Sequence, residues 1–324
     1  MLEDKILNIL VISIEDRNPN NDRLYDYLGK QCNLKILKLT KIQAKFFYNY
    51  LHLHDYDSYD RVILDIPFRL IYSHAKKLRK IKKLVFYEED SCQNYIKNSR
   101  WFGKFSKFYA SVPNARALIT STFVAEEFNK KGIDAINVNK AFDESVIINK
   151  KIPRKIKFAF IGRIKSNVYT ERKTTLNEIS KLIPIKILRT EPGVEYNLLL
   201  NKITYFISAD IGLGEYMIKN FEALAAGCVL CTSYLPSEFS HLGFRDMENV
   251  VLYSSAEELL EKINSIENNL DLKAAIIENG LLLAKDFTFE SHAKKIYGAL
   301  SIDISDIREH ISKFQIFLRF IGVR

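Results

Sequence analysis

The chain has 324 residues, of which 47% are hydrophobic and 27% are charged, and its formal net charge is +9. This length allows two domains of ordinary size, and the composition excludes a disordered chain. No apolar run approaches the roughly 18 residues of a membrane-spanning helix, and no secretory signal is evident, so we expect a cytoplasmic protein.

The first half alternates short aliphatic runs with longer helical patterns, which is typical of an α/β domain with a parallel sheet. Strands are predicted at residues 6–14, 34–39, 61–66, 83–87, 117–120 and 135–138. Helices are predicted at residues 22–28, 42–51, 69–79, 104–112 and 125–131. The segment 143–154 contains Pro153 and lacks apolar periodicity, so it is the predicted linker.

The alternation restarts at Ile156, and a second α/β domain is therefore predicted. Its strands are predicted at residues 156–161, 185–188, 203–208, 229–232 and 249–252. Its helices are predicted at residues 171–182, 194–201 and 216–226, and the sequence from residue 256 onward is mostly helical. The expected domains are residues 1–145, residues 155–300 and a C-terminal amphipathic helix at 301–324.

The amphipathic segment at the C-terminus allows two interpretations. Phe314, Phe317 and Ile321 recur at helical spacing, while Lys313 and Arg319 supply positive charge. Such a helix can lie in a membrane interface, or it can pack as the last helix of the fold.

The four cysteines and six histidines predict no metal site. Cys228 and Cys231 are close in sequence, but strand residues three apart point to opposite faces of a sheet. We expect the cysteines to be buried, reduced side chains.

The positive net charge favours anionic partners. Lysine runs at residues 76–83 and 149–157 favour contact with an anionic membrane surface or an anionic substrate. Simple solvated faces are the alternative. No nucleic-acid-binding motif is present, so nucleic acid is not an expected partner.

Residues 211–232 read as a glycine loop, a helix starting near Glu215, a glycine stop at Gly227 and an apolar strand. Glu215 and Glu222 are seven residues apart, which is nearly two helical turns and predicts that they share one helix face. Free N–H groups at the start of a helix suit an anion. Ordinary helix capping explains the same residues equally well.

The run Phe-Glu-Ala-Leu-Ala-Ala-Gly-Cys-Val-Leu from Phe221 to Leu230 resembles the C-terminal signature of GT-B glycosyltransferases, especially the family 4 group. The acid pair is separated by six residues, where that signature has seven. The resemblance implies two Rossmann-like domains with parallel sheets facing across a cleft. It also implies that Glu222 binds the ribose of a nucleotide-sugar donor and that Glu215 acts on the transferred sugar. Neighbouring residues expected to complete the donor site are Gly214, Tyr216, Lys219 and Asn220.

The strand at residues 156–161 is followed by Gly162, Arg163 and Lys165, and cations at this position can neutralise a departing diphosphate. The location is similar to that of the Arg and Lys of GT-B enzymes. Because the spacing is tighter than usual, Arg172 is an alternative to Lys165. A catalytic base is expected from loops of the first domain. The candidates are acids after predicted strands, namely Glu15, Asp16, Glu88, Glu89 and Asp90, and Asp90 is the residue predicted for the role.

The expected function is transfer of a sugar from a nucleotide donor to a saccharide or lipid-linked acceptor, without a cofactor or metal. The resemblance implies retention of configuration and a role in bacterial surface polysaccharide or lipopolysaccharide assembly. The alternative is a non-catalytic sugar- or nucleotide-binding scaffold with the same fold.

Overall fold

The computed structural model describes residues 6–17, 20–50, 54–165, 169–210 and 214–304. The chain divides into two compact units: the first comprises residues up to Asn139 and from His292 onward, and the second is Lys140–Ser291. From residue 305 on, the predicted C-terminal helix lies outside the described residues.

The first unit is built on a parallel sheet of six strands in the order β2-β1-β3-β4-β5-β6. The strands are β1 (Asn8–Ile14), β2 (Asn33–Leu39), β3 (Arg61–Leu64), β4 (Leu84–Glu88), β5 (Ala115–Ile119) and β6 (Ala135–Asn137). Its helices before residue 140 are α1 (Asp22–Gly29), α2 (Lys41–Lys45), α3 (Phe47–Tyr50), α4 (Phe68–Ile71), α5 (Ala75–Leu78), α6 (Lys104–Ala110) and α7 (Thr122–Lys130).

The second unit has a parallel sheet of five strands in the order β11-β10-β9-β7-β8. The strands are β7 (Ile156–Ile161), β8 (Lys186–Leu188), β9 (Ile203–Ser208), β10 (Val229–Ser233) and β11 (Val251–Tyr253). The helices are α8 (Thr170–Leu182), α9 (Val194–Leu200), α10 (Ile218–Ala225), α11 (Ala256–Glu267) and α12 (Leu270–Ala284). The last helix, α13 (Phe289–Ser301), begins in the second unit and continues into the first.

Both sheets have the same strand order around their first strand. In the first unit β1 pairs with both β2 and β3, and in the second unit β7 pairs with both β8 and β9. The chain therefore reverses its direction of growth across each sheet at β1/β3 and at β7/β9. Ligands of open parallel sheets bind beyond the carboxyl ends of the strands at such a point.

The predicted α/β architecture with two parallel sheets is confirmed, and each predicted strand is present within a few residues of its expected position. The core strands are almost fully apolar, as in Val62-Ile63-Leu64 of β3, because helices cover both faces of a parallel sheet. The helix predicted at residues 69–79 is broken into α4, a 3-10 turn and α5.

The chain returns to the first unit after residue 291, whereas the sequence suggested a second domain extending to residue 300. Arg116 is buried and donates hydrogen bonds to the carbonyl oxygens of Ala299, Ile302 and Asp303 at 2.7–2.9 Å. The Tyr87 hydroxyl also lies 3.0 Å from Nε2 of His292. These contacts attach the end of α13 to the first sheet.

The segment predicted as a linker packs into the second unit instead. Ile147 is buried in the core of that unit, and Asn201 Nδ2 donates to the Ile148 carbonyl at 2.9 Å. The backbone of Phe142 pairs with that of Phe287 and Phe289. The chain is therefore held together where it enters and leaves the second unit.

All four cysteines are free and buried, as the sequence predicted. Within the described ranges, no helix is long and apolar enough to cross a membrane.

Replacing Arg116 with Met should lower the free energy of unfolding by about 3 kcal/mol, because three backbone carbonyls and the Asp134 carboxylate lose a charged donor. Urea denaturation measures the change. The matched control is Lys130→Met, which removes an exposed pair with Glu127 and should leave the free energy of unfolding nearly unchanged. Equal effects of the two substitutions would contradict this role of Arg116.

Candidate functional site

The carboxyl end of β7 is a place where only glycine fits. Gly162 N–H donates to the Leu188 carbonyl of β8 at 3.1 Å, and a Cβ on Gly162 would lie 2.7 Å from Cζ of Phe160 and 3.2 Å from Nζ of Lys219. Arg163 and Lys165 follow on the exposed loop. The predicted glycine and cations are therefore at the switch point of the second sheet.

Arg172 of α8 holds the loop that carries Arg163. Its buried guanidinium donates from Nε to the Ala209 carbonyl at 3.1 Å and from Nη1 to the Arg163 carbonyl at 3.3 Å. Burial lowers the pKa of Arg172, while Tyr169 and Asp210 act in the opposite direction. The structure thus gives this residue backbone partners that join the ends of β7 and β9.

Lys219 connects the first turn of α10 to the end of β7. Its Nζ donates to the Ile161 carbonyl at 2.8 Å. Burial lowers the pKa of Lys219; the Glu222 charge opposes this change, and the charges of Arg172, Arg189 and Arg163 add to it. The charges of three arginines are therefore close enough to Lys219, at the carboxyl edge of the sheet, to repel its ammonium group.

Glu222 lies one turn after Lys219 on the same face of α10, as expected for residues three apart in a helix. Its Oε2 accepts a hydrogen bond of 2.8 Å from the Tyr196 hydroxyl of α9. Burial raises the pKa of Glu222, and Tyr196 and Lys219 partly offset that effect. The structure therefore brings the predicted ribose ligand close to the cations.

The prediction that Glu215 and Glu222 share one helix face is wrong, because α10 begins at Ile218. Gly214 has a positive φ of 62°, its N–H donates to Oδ2 of Asp210 at 3.1 Å, and Met217 is extended with ψ 151°. Because residues 214–217 have this loop geometry, the helix begins at Ile218 and not near Glu215. Gly212, in the predicted glycine loop, lies outside the described residues.

Glu215 is almost fully buried and forms an ion pair with Lys140, which is also buried. Lys140 is 75 residues earlier in the chain, so no local sequence pattern indicates this pair. The assignment of Glu215 to catalysis stays a prediction.

Tyr216 and Asn220 hold the same loop to β10. The Tyr216 hydroxyl donates to the Ser233 carbonyl at 3.1 Å and accepts from Leu235 N–H at 3.2 Å. Asn220 Nδ2 donates to Thr232 Oγ1 at 3.1 Å, and its Oδ1 is buried without a hydrogen-bond partner in the described structure. Both side chains turn towards the protein interior.

The first unit has a buried polar network at its own switch point. Asp65, directly after β3, accepts hydrogen bonds from Tyr25 at 2.7 Å and from Arg17 Nε at 2.7 Å. Arg17 also pairs with Glu89. Sequence reasoning missed Arg17 and Asp65; the available signal was an aspartate at the end of an apolar strand.

The predicted catalytic residue Asp90 lies just beyond this network and is exposed. Its N–H donates to Oε1 of Glu88 at 2.7 Å, and Tyr109 donates to the other oxygen at 3.0 Å. The catalytic role of Asp90 stays a prediction. Among the described residues, no group of His, Cys, Asp and Glu side chains could hold a metal ion.

Comparison with known families finds one match, in the second unit. Residues 151–298 match the family model described as glycosyl transferase-like. A comparison with curated proteins finds no match.

Solved structures show that about nine-tenths of the chain has the GT-B glycosyltransferase fold. HepE of Anabaena, in complex with UDP and glucose, is similar with a TM-score of 0.65 at 10% identity, over 91% of this chain and 99% of that one. The β-glucosyltransferase of phage T4, in complex with UDP-glucose, has a TM-score of 0.58 at 12% identity over 91% and 99%. The sucrose-phosphate synthase of Thermosynechococcus elongatus has a TM-score of 0.60 at 12% identity over 90% and 97%.

Replacing Lys140 with Met should lower the free energy of unfolding by about 3–5 kcal/mol, because it leaves the Glu215 carboxylate buried without its partner. The double substitution Lys140→Met/Glu215→Leu should lose less than the single one. Urea denaturation measures both, with Arg245→Met as the control from the exposed pair with Glu248. A double variant less stable than Lys140→Met would contradict the buried ion pair.

Glu88 should make the stability of the protein depend on pH. Burial raises the pKa of Glu88 to about 8, and the Asp90 charge adds to this effect. In the unfolded chain the Glu88 carboxyl loses its proton near pH 4.3, whereas in the folded state it keeps the proton up to about pH 8. Stability that is present at low pH is therefore lost as the pH rises from 4.3 towards 8. The free energy of unfolding of Glu88→Gln should therefore increase relative to that of the parent by about 4 kcal/mol between pH 5 and pH 8.5.

Urea denaturation at several pH values measures this gain. Glu261→Gln, at an exposed position of α11, is the control and should follow the parent at each pH. Parallel pH profiles of the parent and Glu88→Gln would contradict the raised pKa.

Proposed function

We propose that the chain transfers a sugar from a uridine diphosphate donor and that the second unit binds this donor at the carboxyl edge of β7, beside α10. The observation that carries the proposal is the position of Lys219. A lysine in the first turn opposes the helix dipole, and here it also lies within the field of three arginines. An anion bound at this point would relieve that repulsion.

The charged side chains at this edge suit a nucleoside diphosphate, which has an anionic diphosphate at one end and ribose hydroxyls at the other. Arg163 and Arg189 follow adjacent strands, and neither forms a salt bridge with an acid in the described part of the chain, so both are candidates for the phosphate oxygens. Glu222 supplies carboxylate oxygens that can accept hydrogen bonds from the vicinal hydroxyls of ribose. Developing charge on the leaving diphosphate would be stabilised by the cations that bind it.

The identity of the nucleotide is proposed from two structural neighbours. HepE was solved with UDP and glucose, and the phage enzyme with UDP-glucose. We propose a UDP-sugar for the present chain, with no metal ion required because the cluster around Lys219 already supplies positive charge. Lys165 is proposed as a further contact of the diphosphate.

The acceptor and the outcome of the reaction rest on the family 4 resemblance. We propose a saccharide or lipid-linked acceptor, retention of configuration and a role in bacterial surface polysaccharide or lipopolysaccharide assembly on the cytoplasmic face of a membrane. Glu215 and Asp90 remain the candidate catalytic acids, and Gly214, Tyr216 and Asn220 would shape the donor site through the loop before α10.

A non-catalytic scaffold with the same fold is the second candidate. The observation that favours it is the ion pair that engages Glu215. Release of free UDP from a UDP-sugar by the purified protein would exclude this alternative.

Glu222→Gln should weaken UDP binding about 10–100-fold, since a hydrogen bond to a charged group contributes roughly 1.5–3 kcal/mol. Glutamine still offers Tyr196 an acceptor, so the fold should be kept. Isothermal titration with UDP, with and without EDTA, measures the affinity. Glu261→Gln, on the exposed side of α11, is the matched control. Unchanged affinity of Glu222→Gln would contradict the assignment, and loss of binding in EDTA would contradict metal independence.

A further inference from the structure

An aromatic and basic surface lies on the first unit where α4 meets the start of α6. Phe102 is 52% exposed, and the adjacent Trp101 is partly buried against Phe68 and Tyr72, with ring centroids 5.1 Å and 5.7 Å apart. The aromatic–basic patch consists of Arg69, Tyr72, Arg100, Trp101, Phe102 and Lys104.

Cations surround the Trp101 ring. The Arg100 guanidinium lies 4.7 Å from its centroid, and Lys104 Nζ lies 5.3 Å from the same ring and 5.9 Å from the Tyr72 ring. Arg69 is exposed on α4, one turn before Tyr72. Aromatic bodies with flanking cations are typical of side chains at a membrane–water interface.

The sequence around the patch supplies no acid to neutralise it. Residues 66–87 and 91–125 contain no aspartate or glutamate. Of their lysines and arginines, Lys82 pairs with Asp57 and the buried Arg116 pairs with Asp134. Arg69, Arg100 and Lys104 form no salt bridge in the described part of the chain. Both segments contribute to the patch. The surface therefore has a positive charge that suits anionic lipid.

The backbone presents Phe102 in a fixed position. Phe102 N–H donates to the Ser99 carbonyl at 3.1 Å, and Gly103, with a positive φ of 66°, donates from N–H to the Asn94 carbonyl at 2.9 Å. The Asn94 side chain also accepts from Ser106 N–H at 3.0 Å. This network holds a large apolar side chain at a defined position on the surface, next to the Trp101 ring and its flanking cations.

We propose that the aromatic–basic patch binds the surface of an anionic lipid bilayer. Phe102 and the edge of Trp101 enter the interfacial region, while Arg69, Arg100 and Lys104 lie among the lipid phosphates. The proposal is independent of sugar transfer. Nucleic acid fits less well, because cations already lie over the Trp101 ring and limit its use as a stacking surface for bases.

Flotation of the full chain with phosphatidylcholine vesicles, with and without phosphatidylglycerol, tests the proposal. Binding should require phosphatidylglycerol and weaken at high salt. Arg69→Gln/Arg100→Gln should reduce partitioning about 25-fold, since each cation near an anionic leaflet contributes roughly a factor of five. Phe102→Ala should reduce it about 5–10-fold through lost apolar burial.

The controls match these changes elsewhere on the surface. Lys181→Gln/Lys285→Gln removes two exposed charges from the second unit, and Leu270→Ala removes a side chain from a position that is 74% exposed. Both variants should partition like the parent. Trp101 is the single tryptophan, so a blue shift of its emission on adding anionic vesicles reports on the patch directly.

Three results would overturn the proposal. The parent chain could fail to float with anionic vesicles at low salt, or the patch variants could float as well as the parent. The third result has two parts: Arg69→Gln/Arg100→Gln weakens binding to single-stranded RNA, and Phe102→Ala leaves vesicle binding unchanged. Together they would assign the patch to nucleic acid.

Discussion

The close approach of α10 to the end of β7 determines the arrangement of the second unit's site. Gly162 leaves no room for a side chain, and Lys219 fills the adjacent space with its Nζ bonded to the Ile161 carbonyl at 2.8 Å. Because the helix is fixed to the strand at this point, Glu222 is fixed one turn later. An acid and a cation thus have defined positions relative to the rigid sheet, which is the requirement for recognising a ligand with two chemically different ends.

The two units share a strand order but differ in how charged side chains are paired at the switch point. At the first switch point, Arg17 is bonded to Asp65 and Glu89, so the charges pair with one another inside the protein. At the second, Arg163 is exposed beside the half-buried Lys219, and positive charge is in excess. Repulsion among cations costs stability, and a bound diphosphate would offset it. This difference explains why we assign the donor to the second unit.

The sequence predicted the strands well because a strand covered on both faces reads as an apolar run bounded by polar residues. It also placed Gly162 directly after a strand and Lys219 and Glu222 on a helix, and the structure brings Lys219 and Gly162 together at the carboxyl end of β7. It failed at Glu215, since helical spacing cannot show that Asp210 and Tyr216 hold the preceding loop in a non-helical form. Lys140 pairs with Glu215, 75 residues later, and Arg172 donates to the Ala209 carbonyl, 37 residues later. The sequence alone therefore could not show that these two cations are buried.

The central claim is that a nucleoside diphosphate binds where β7 meets α10. A crystal structure of the protein soaked with UDP tests this most directly. We expect ribose hydroxyls within hydrogen-bond distance of the Glu222 carboxylate, with the diphosphate beside Lys219 and Arg163. UDP bound at another place in the protein, with Glu222 still contacting only Tyr196, would contradict it.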